Sequence, residues 1–232
     1  MDYLFIVAVG RSGSTLLQGV TNCLERTHIK GENGIAVPLA SGFAELLAGY
    51  DFVTKGDLRG IKRFLPTGKS AARGLVSPKD IGHPWFGLSE VNIEALEKQL
   101  FEIISESLLN QSKCTIDVNL IGFKEIRWHY HRSVFKGMNH LFPNAKYIFN
   151  YRNSSDIVKS GWWKRMNVDK SFIDEAQAWM SSEAKSLGIR AIEVNYEDYV
   201  SNPSMLTNLE TFCQRTIDWD KARIVLRKQL KH

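Results

Sequence analysis

The chain has few cysteines, and none of them is placed for a metal site. Cys23, Cys114 and Cys213 are the only three in 232 residues, and they form neither a C-x-x-C pair nor a His/Cys pattern with zinc spacing. Isolated thiols of this kind indicate reduced core residues in a cytosolic protein. We therefore expect no metal site and a cytoplasmic location.

Long apolar runs and basic stripes are also missing. No segment approaches the roughly 18–20 apolar residues that a membrane-spanning helix needs, and an apolar strand begins almost at the first residue, which leaves no room for a signal peptide. The 30 Lys+Arg against 25 Asp+Glu give a net charge of +5, without basic runs interleaved with aromatic residues. This balance suits a polyanionic cofactor but falls short of a nucleic-acid-binding stripe. We expect a soluble protein without a transmembrane segment or a nucleic-acid partner.

Apolar segments alternate between strand-like and helix-like patterns along the chain. Strands are predicted near 3–9, 27–31, 119–124, 145–151 and 190–195. Helices are predicted near 14–26, 89–110, 130–141, 154–166, 171–187, 203–214 and 218–230. The alternation predicts a single α/β domain over residues 1–232, with a central, mainly parallel sheet between two layers of helices.

Residues 51–88 differ from this pattern. They contain five glycines before His83, the prolines Pro66, Pro78 and Pro84, and scattered basic residues. Such a composition predicts a loop-rich excursion, which gives the domain an acceptor-binding or lid segment at about 33–90. A solvated insertion without a role at the site is the alternative.

The first predicted strand leads directly into a small-residue turn and a helix. Residues 5–17 read FIVAVGRSGSTLL. The N–H groups of such a turn and the positive end of the helix dipole point at one spot, which makes an anion site. In the Walker A pattern, Ser14 occupies the place of the lysine that reaches the β- and γ-phosphates, and the cation has moved back to Arg11. The turn is expected to hold a phosphate group, but not the terminal phosphates of ATP.

A second anion site is predicted after the strand near 145–151. Arg152 stands at the end of this strand, and Ser160 follows eight residues later, one to two turns into the predicted helix. Ligands of parallel α/β sheets sit outside the carboxyl ends of the strands, so both sites are expected to face one crevice. Arginine offers a planar fork to a phosphate and serine adds one donor.

Two phosphate sites for one nucleotide are the arrangement of the sulfotransferases that use PAPS (3′-phosphoadenosine 5′-phosphosulfate). The segment GRSGST at 10–15 resembles that family's 5′-phosphosulfate loop, and YRN at 151–153 with Ser160 resembles its 3′-phosphate motif. The segment VNYEDY at 194–199, followed by Pro203, resembles its strand-ending Tyr-Glu-Asp segment. The three segments lie in the family's order and span residues 5–203.

The resemblance implies a three-layer P-loop-type fold, PAPS as the cofactor, adenosine 3′,5′-bisphosphate as its product and no metal requirement. It also implies that the following residues bind the cofactor: Arg11, Ser12, Gly13, Ser14, Thr15, Leu16, Arg152, Ser160, Lys164 and Tyr196. Among these, Arg11 is additionally expected to stabilise charge near the 5′-phosphosulfate.

Two further residues are candidates for the chemistry. Lys124 ends a short apolar strand and could stabilise developing charge on the sulfuryl group or the bridging oxygen. Glu32, in IKGEN, matches the context of the glutamate base in the tyrosyl-protein and several bacterial members, so the resemblance implies a general base. The alternative for Lys124 is a surface lysine at a strand end, and the alternative for Glu32 is a position in an ordinary turn.

Two histidines are the rival bases. The cytosolic members carry a histidine two residues after a lysine in a comparable strand, where this chain has Ile126. His129 and His131 follow shortly after that position, but histidines near aromatic residues are more often packed or exposed without a catalytic role.

The cytosolic members also carry a late Arg-Lys-Gly loop that grips the 3′-phosphate, and this chain has no match to it. The basic tail either substitutes for that loop or forms a solvated helix face; it comprises Arg223, Arg227, Lys228 and Lys231. The missing loop favours a hydroxyl acceptor such as a carbohydrate, a lipid or another metabolite over a small phenol or a steroid.

Two other functions stay open at this point. A P-loop kinase or NTPase would need an aspartate at a strand end to hold Mg²⁺, for which Asp117 is the candidate. The second open function is that of a non-catalytic nucleotide-binding module. It stays open because proteins with the same fold can have different functions.

Overall fold

The computed structural model describes residues 1–55, 92–109 and 117–228. Most of the 51–88 segment, Cys114 and Lys231 lie outside these residues. The chain divides into two compact units. The first comprises Met1–Gly34, Glu106–Arg132 and Phe142–His232, and the second comprises Ile35–Ser105 and Ser133–Leu141.

Within the described residues, the first unit is built on five strands that are all parallel. They are β1 (Asp2–Ala8), β2 (Thr27–Lys30), β3 (Leu120–Glu125), β4 (Lys146–Tyr151) and β5 (Ala191–Asn195). Their order in the sheet is β2-β3-β1-β4-β5, with β1 between β3 and β4. All five carboxyl ends therefore lie at one edge, and β1 ends where open α/β sheets form their ligand crevice.

The described residues of the two units contain ten α-helices. They are α1 (Ser14–Thr21), α2 (Ala36–Lys55), α3 (Ile93–Leu109), α4 (Arg132–Leu141), α5 (Ser154–Val158), α6 (Gly161–Arg165), α7 (Lys170–Leu187), α8 (Tyr196–Ser201), α9 (Thr207–Cys213) and α10 (Trp219–Arg227). Short 3₁₀ turns occur at Gly188–Arg190 and Pro203–Leu206. None of the helices in the described part of the chain is both long and apolar enough to cross a membrane.

The core of the first unit lies on both faces of the sheet. On one face, Phe5 packs its ring against Phe123, Phe142 and Tyr147, with centroids 5.0–5.6 Å apart. On the other face, Leu4 and Ile6 contribute to a buried cluster with residues of α1, α9 and α10. Strands covered on both faces are continuously apolar, and this accounts for the strong strand signal in the sequence.

Helix α10 docks closely on α1 in the same unit. A Cβ atom on Gly19 would lie 2.7 Å from a methyl group of Val225, so glycine lets the two helices approach. Cys23 and Cys213 are free and buried at this side of the sheet. Burial raises the pKa of the Cys213 thiol to about 11.

The second unit contains α2, most of α3 and most of α4. Gly137 of α4 lies against α2, where a Cβ atom would come within 2.3 Å of the Ala40 carbonyl oxygen. Phe43 and His140 contact each other with ring centroids 5.6 Å apart, and His140 is 2.7 Å from Glu97 of α3.

The predicted α/β fold with a central parallel sheet is confirmed, and each of the five strands lies within one residue of its predicted bounds. The loop prediction for about 33–90 is wrong for its first part, since α2 occupies Ala36–Lys55. Pro38 lies in the first turn of α2, where its missing N–H costs nothing. The helix predicted at 154–166 is instead two short helices separated at Ser160.

Candidate active site

One cavity of about 720 Å³ lies at the carboxyl edge of the sheet, entirely within the first unit. The segment that follows each of the five strands contributes to it, because parallel strands all end at this edge. Ten predicted site residues line it: Arg11, Gly13, Ser14, Thr15, Leu16, Glu32, Lys124, Arg152, Ser160 and Tyr196. Five lining residues lie outside the predicted set: Ile126, Trp162, Val200, Leu226 and Lys228.

Two predicted cofactor-binding residues do not line this cavity. Ser12 is 1% exposed, and its hydroxyl accepts a hydrogen bond from Asn150 Nδ2 at 3.0 Å. Lys164 is exposed on α6. The Ser12 hydroxyl is therefore engaged inside the protein, and the structure does not bring Lys164 to the cavity wall.

The loop at residues 10–13 turns sharply between β1 and α1. Arg11 and Gly13 both adopt left-handed backbone conformations, with φ of 71° and 83°. Gly13 is also in close contact with Tyr196, since a Cβ atom there would lie 2.1 Å from the ring. As the N-cap of α1, Gly13 has no side chain to bond the first N–H groups of the helix. Ser14 and Thr15, whose N–H groups are the first of the helix, line the cavity.

The two predicted anion sites are joined by direct hydrogen bonds. Arg11 Nε donates to Ser160 Oγ at 3.0 Å, and Arg152 Nη1 donates to the Arg11 carbonyl oxygen at 2.9 Å. The Arg152 guanidinium lies over the Tyr196 ring, 4.5 Å from its centroid. Its Nε is buried without a hydrogen-bond partner among the described residues. The guanidinium is thus oriented by the protein, and its Nε keeps an unsatisfied donor.

The break between α5 and α6 places Ser160 beside Arg11. Ser160 is the N-cap of α6 and has an extended backbone, and Gly161 follows with φ of 52°. A Cβ atom on Gly161 would lie 3.0 Å from Arg11 Nε. The prediction that Ser160 lies inside a helix is therefore wrong, and a Ser-Gly pair within a helical pattern was the signal for the break.

Lys124 and Glu32 form an ion pair in the cavity. Lys124 Nζ lies 2.6 Å from Glu32 Oε1, and the two side chains are 6% and 42% exposed. A buried ammonium needs a partner of opposite charge, which the end of β2 supplies here. Glu32 remains accessible from the cavity, so the pair presents a carboxylate and an ammonium side by side to any bound molecule.

Glu125 fixes the turn that follows β3. Its side chain is 1% exposed and accepts hydrogen bonds from the backbone N–H groups of Ile126 and Arg127, both at 2.9 Å. The Arg127 guanidinium adds two bonds of 2.7 Å. This carboxylate is thus fully engaged inside the protein, and it holds Ile126 at the cavity wall.

An aromatic side chain forms part of the wall near Ile126. Trp162 stacks on Trp163 with ring centroids 3.9 Å apart. A Cβ atom on Gly10 would lie 2.7 Å from Trp162, so the glycine leaves room for the ring. Trp163 itself is fully buried. The Trp162 ring is therefore held firmly at the wall.

Neither of the two rival bases is among the residues that line the cavity. His129 is 8% exposed and packs against Tyr130 and Phe172, with ring centroids 4.0 and 5.6 Å away. Burial first, and then the charge of Arg132, lower the pKa of His129 to about 4. His131 is exposed.

The magnesium ligand required by the kinase hypothesis is not placed at this edge. Asp117 precedes β3, at the opposite end of the sheet, and pairs with Arg26 at 3.2 Å on the surface. Among the described residues, no group of three or more His, Cys, Asp or Glu side chains is arranged to hold a metal ion.

Several solved structures are similar to this chain. The sulfotransferase domain from the curacin biosynthetic pathway matches with a TM-score of 0.54 and 18% identity, over 94% of this chain and 75% of that one. The sulfotransferase domain of the Synechococcus PCC 7002 olefin synthase gives 0.49 and 21% identity, over 96% and 75%. A sulfotransferase from Alicyclobacillus acidocaldarius gives 0.48 and 13% identity, over 94% and 83%.

No protein-family model and no curated protein matches the chain. The likeness to the curacin-pathway domain shows the fold: this chain has the α/β fold of a sulfotransferase domain. The resemblance to sulfotransferases that the three sequence motifs indicate is therefore confirmed for the fold.

Proposed function

We propose that this chain is a PAPS-dependent sulfotransferase that transfers a sulfuryl group to a hydroxyl group of its acceptor, with Glu32 as the general base. One observation carries the proposal: the Arg11–Arg152–Ser160 cluster and the Glu32–Lys124 pair line the same cavity. An anion site and a proton acceptor with an adjacent cation are the parts that such a transfer needs.

The cavity residues fit a polyanionic nucleotide. Among the described residues, one carboxylate lines it, that of Glu32, against four cationic side chains: Arg11, Lys124, Arg152 and Lys228. The buried Nε of Arg152, without a partner among the described residues, offers a donor that an anion would satisfy. A buried donor without a hydrogen bond costs free energy, so an anion that reaches Arg152 Nε would recover part of that cost.

Individual residues are assigned to parts of the nucleotide. Arg152 and Ser160 would hold the 3′-phosphate, because the arginine fork and the hydroxyl supply several donors on one side. The N–H groups at the start of α1, with Thr15 and Arg11, would hold the 5′ end. Tyr196, between Gly13 and Arg152, would contact the adenosine.

The bound nucleotide and the Glu32–Lys124 pair would share the transfer chemistry. When bound, PAPS supplies a sulfuryl group bonded to a phosphate that can leave. Glu32 would accept the proton of the acceptor hydroxyl at one carboxylate oxygen. Lys124 Nζ would stabilise negative charge beside it, and its low exposure strengthens this interaction by excluding water.

The acceptor is proposed to be a hydroxyl of a carbohydrate, a lipid or another metabolite, and the protein to act in the cytoplasm. The type of acceptor is inferred from the absence of the late Arg-Lys-Gly loop. The cytoplasmic location is inferred from the isolated thiols in the sequence.

Calorimetry with nucleotides and without added metal tests the proposal. We expect adenosine 3′,5′-bisphosphate to bind in the micromolar range and adenosine 5′-monophosphate to bind far more weakly, because only the former reaches Arg152 and Ser160. Preference for ATP with Mg²⁺, or no binding of the bisphosphate, would contradict it.

A further inference from the structure

Four consecutive carbonyl groups of the loop at residues 10–13 each accept a hydrogen bond from a side chain far away in the sequence. The bonds run from Trp163 Nε1 to Gly10 at 2.7 Å, from Arg152 Nη1 to Arg11 at 2.9 Å, from Asn150 Nδ2 to Ser12 at 2.8 Å, and from Tyr199 OH to Gly13 at 3.3 Å. The donors come from the end of β4, from α6 and from α8.

Three of these donors are buried beneath the loop and do not line the cavity. Trp163, Asn150 and Tyr199 are at most 1% exposed. The Tyr199 hydroxyl is also 3.3 Å from Asn150 Oδ1. A buried polar network of this kind is rigid when its members are bonded, so it defines one position for each carbonyl.

The direction of the carbonyl groups determines where the N–H groups point. In a trans peptide the C=O and the following N–H point in opposite directions. Tying the carbonyls of Gly10, Ser12 and Gly13 to buried side chains therefore directs the N–H groups of the residues that follow them away from the core.

The network also stabilises an unfavourable backbone conformation. Arg11 has φ of 71°, which is uncommon for a residue other than glycine and persists only where the surroundings enforce it. Its two neighbouring carbonyls, at Gly10 and Ser12, are both bonded to buried donors.

We infer that Asn150, Trp163 and Tyr199 are positioning residues that hold the loop in its anion-binding conformation without touching the ligand. The inference rests on the proposed function, since the anion in question is the 5′-phosphate end of the nucleotide. Arg152 has both roles, because its guanidinium also lines the cavity.

Two substitutions each remove a single donor and keep the ring that fills the core: Trp163→Phe and Tyr199→Phe. Matched controls are Trp128→Phe and Tyr147→Phe, since each removes a polar atom from an equally buried ring elsewhere in the first unit. Trp128 packs on Phe123 and Tyr147 packs on Phe5.

The first measurement is hydrogen exchange, in the ligand-free proteins, of the backbone N–H groups of Ser12, Leu16 and Leu17, which bond the carbonyl oxygens of Val9 and Gly13. We expect exchange to be about 10-fold faster in the two loop variants, from the loss of one hydrogen bond. The control variants should exchange these groups as the wild type does. This readout reports the order of the loop and needs no assumption about the ligand.

The second measurement compares affinities for adenosine 3′,5′-bisphosphate and adenosine 3′-monophosphate, whose ratio isolates the 5′-phosphate. In the loop variants we expect the ratio to fall about 3- to 10-fold, most strongly in Trp163→Phe because its bond is the shorter. The affinity for the 3′-monophosphate should stay near that of the wild type, and the controls should keep both values.

The outcomes separate the two proposals. If the wild type does not bind the bisphosphate, the proposed function fails, and the exchange measurement alone decides whether the side chains order the loop. Wild-type exchange in both loop variants would overturn the inference. So would an equal loss of affinity for both nucleotides, since that result places the effect on the whole cavity rather than on the loop.

Discussion

The guanidinium of Arg152 donates a hydrogen bond to the backbone carbonyl of Arg11, 141 residues earlier in the chain, at 2.9 Å. Arg11 in turn bonds Ser160, which lies close to Arg152 in sequence. The two short motifs that are separate in the sequence thus form one cationic cluster. An anion that engages Arg152 is therefore linked to the conformation of the loop at 10–13.

Replacing Arg152 by alanine should weaken binding of adenosine 3′,5′-bisphosphate by about 10- to 100-fold, the scale of hydrogen bonds to a charged group. Arg152→Lys should restore only part of the affinity, because lysine keeps the charge and loses the planar fork. Calorimetry measures both. Arg165→Ala removes an exposed arginine of α6 and serves as the control. Wild-type affinity in Arg152→Ala would contradict the assignment of the 3′-phosphate site.

Glu32→Gln should lower turnover by about 10²- to 10⁴-fold, the usual contribution of a general base, while the affinity for the bisphosphate is kept. The amide is nearly isosteric but cannot accept the proton from the acceptor hydroxyl. The measurement is release of the bisphosphate from PAPS, with an acceptor found by screening hydroxyl compounds.

Glu25→Gln is the matched control, because Glu25 is exposed and precedes β2, at the other end of the sheet. Unchanged turnover in Glu32→Gln would remove the proposed base. A loss of bisphosphate affinity as large as the loss of turnover would instead indicate that Glu32 acts in binding.

The strands and the loop at 10–13 could be predicted because their signals are local. Parallel strands buried on both faces appear as continuous apolar runs, and Gly-Arg-Ser-Gly directly after such a run indicates a tight turn. The positions of Glu32 and Lys124 at strand ends could be predicted for the same reason. Their ion pair could not, because it depends on the register of β2 against β3.

The remaining features of the site depend on long-range packing. Asn150, Trp163 and Tyr199 are ordinary core residues in the sequence, and nothing local shows that they bond the loop. Leu226 and Lys228 reach the cavity only because α10 docks on α1 through Gly19. The sequence alone therefore cannot distinguish the basic tail from a solvated helix face, whereas the fold brings Lys228 to the cavity.

Gly13→Ala should destabilise the protein and weaken nucleotide binding, because two costs coincide at this position. The left-handed backbone with φ of 83° disfavours any Cβ atom, and that atom would come within 2.1 Å of the Tyr196 ring. We expect a loss of about 1–3 kcal/mol in the free energy of unfolding, measured by urea denaturation.

Gly31→Ala is the control for this change, since a Cβ atom on Gly31 would meet no other group within 4 Å. It should leave the unfolding free energy nearly unchanged. Equal stability of the two alanine variants would show that the contact between Gly13 and Tyr196 is not tight in solution.

Stability should fall on acidification between about pH 6.5 and pH 4 because of His129. Burial lowers its pKa from 6.5 to about 4, so the folded protein keeps this ring neutral where the unfolded chain already binds a proton. The stabilisation is therefore complete above pH 6.5 and is lost as the pH falls toward 4; a shift of this size corresponds to roughly 3 kcal/mol at most.

His129→Phe keeps an aromatic ring against Tyr130 and Phe172 and removes the titrating group. Urea denaturation of both proteins from pH 7 to pH 4 measures the difference, which should be a shallower decline in the variant; equal declines would mean that His129 is protonated freely in the folded state.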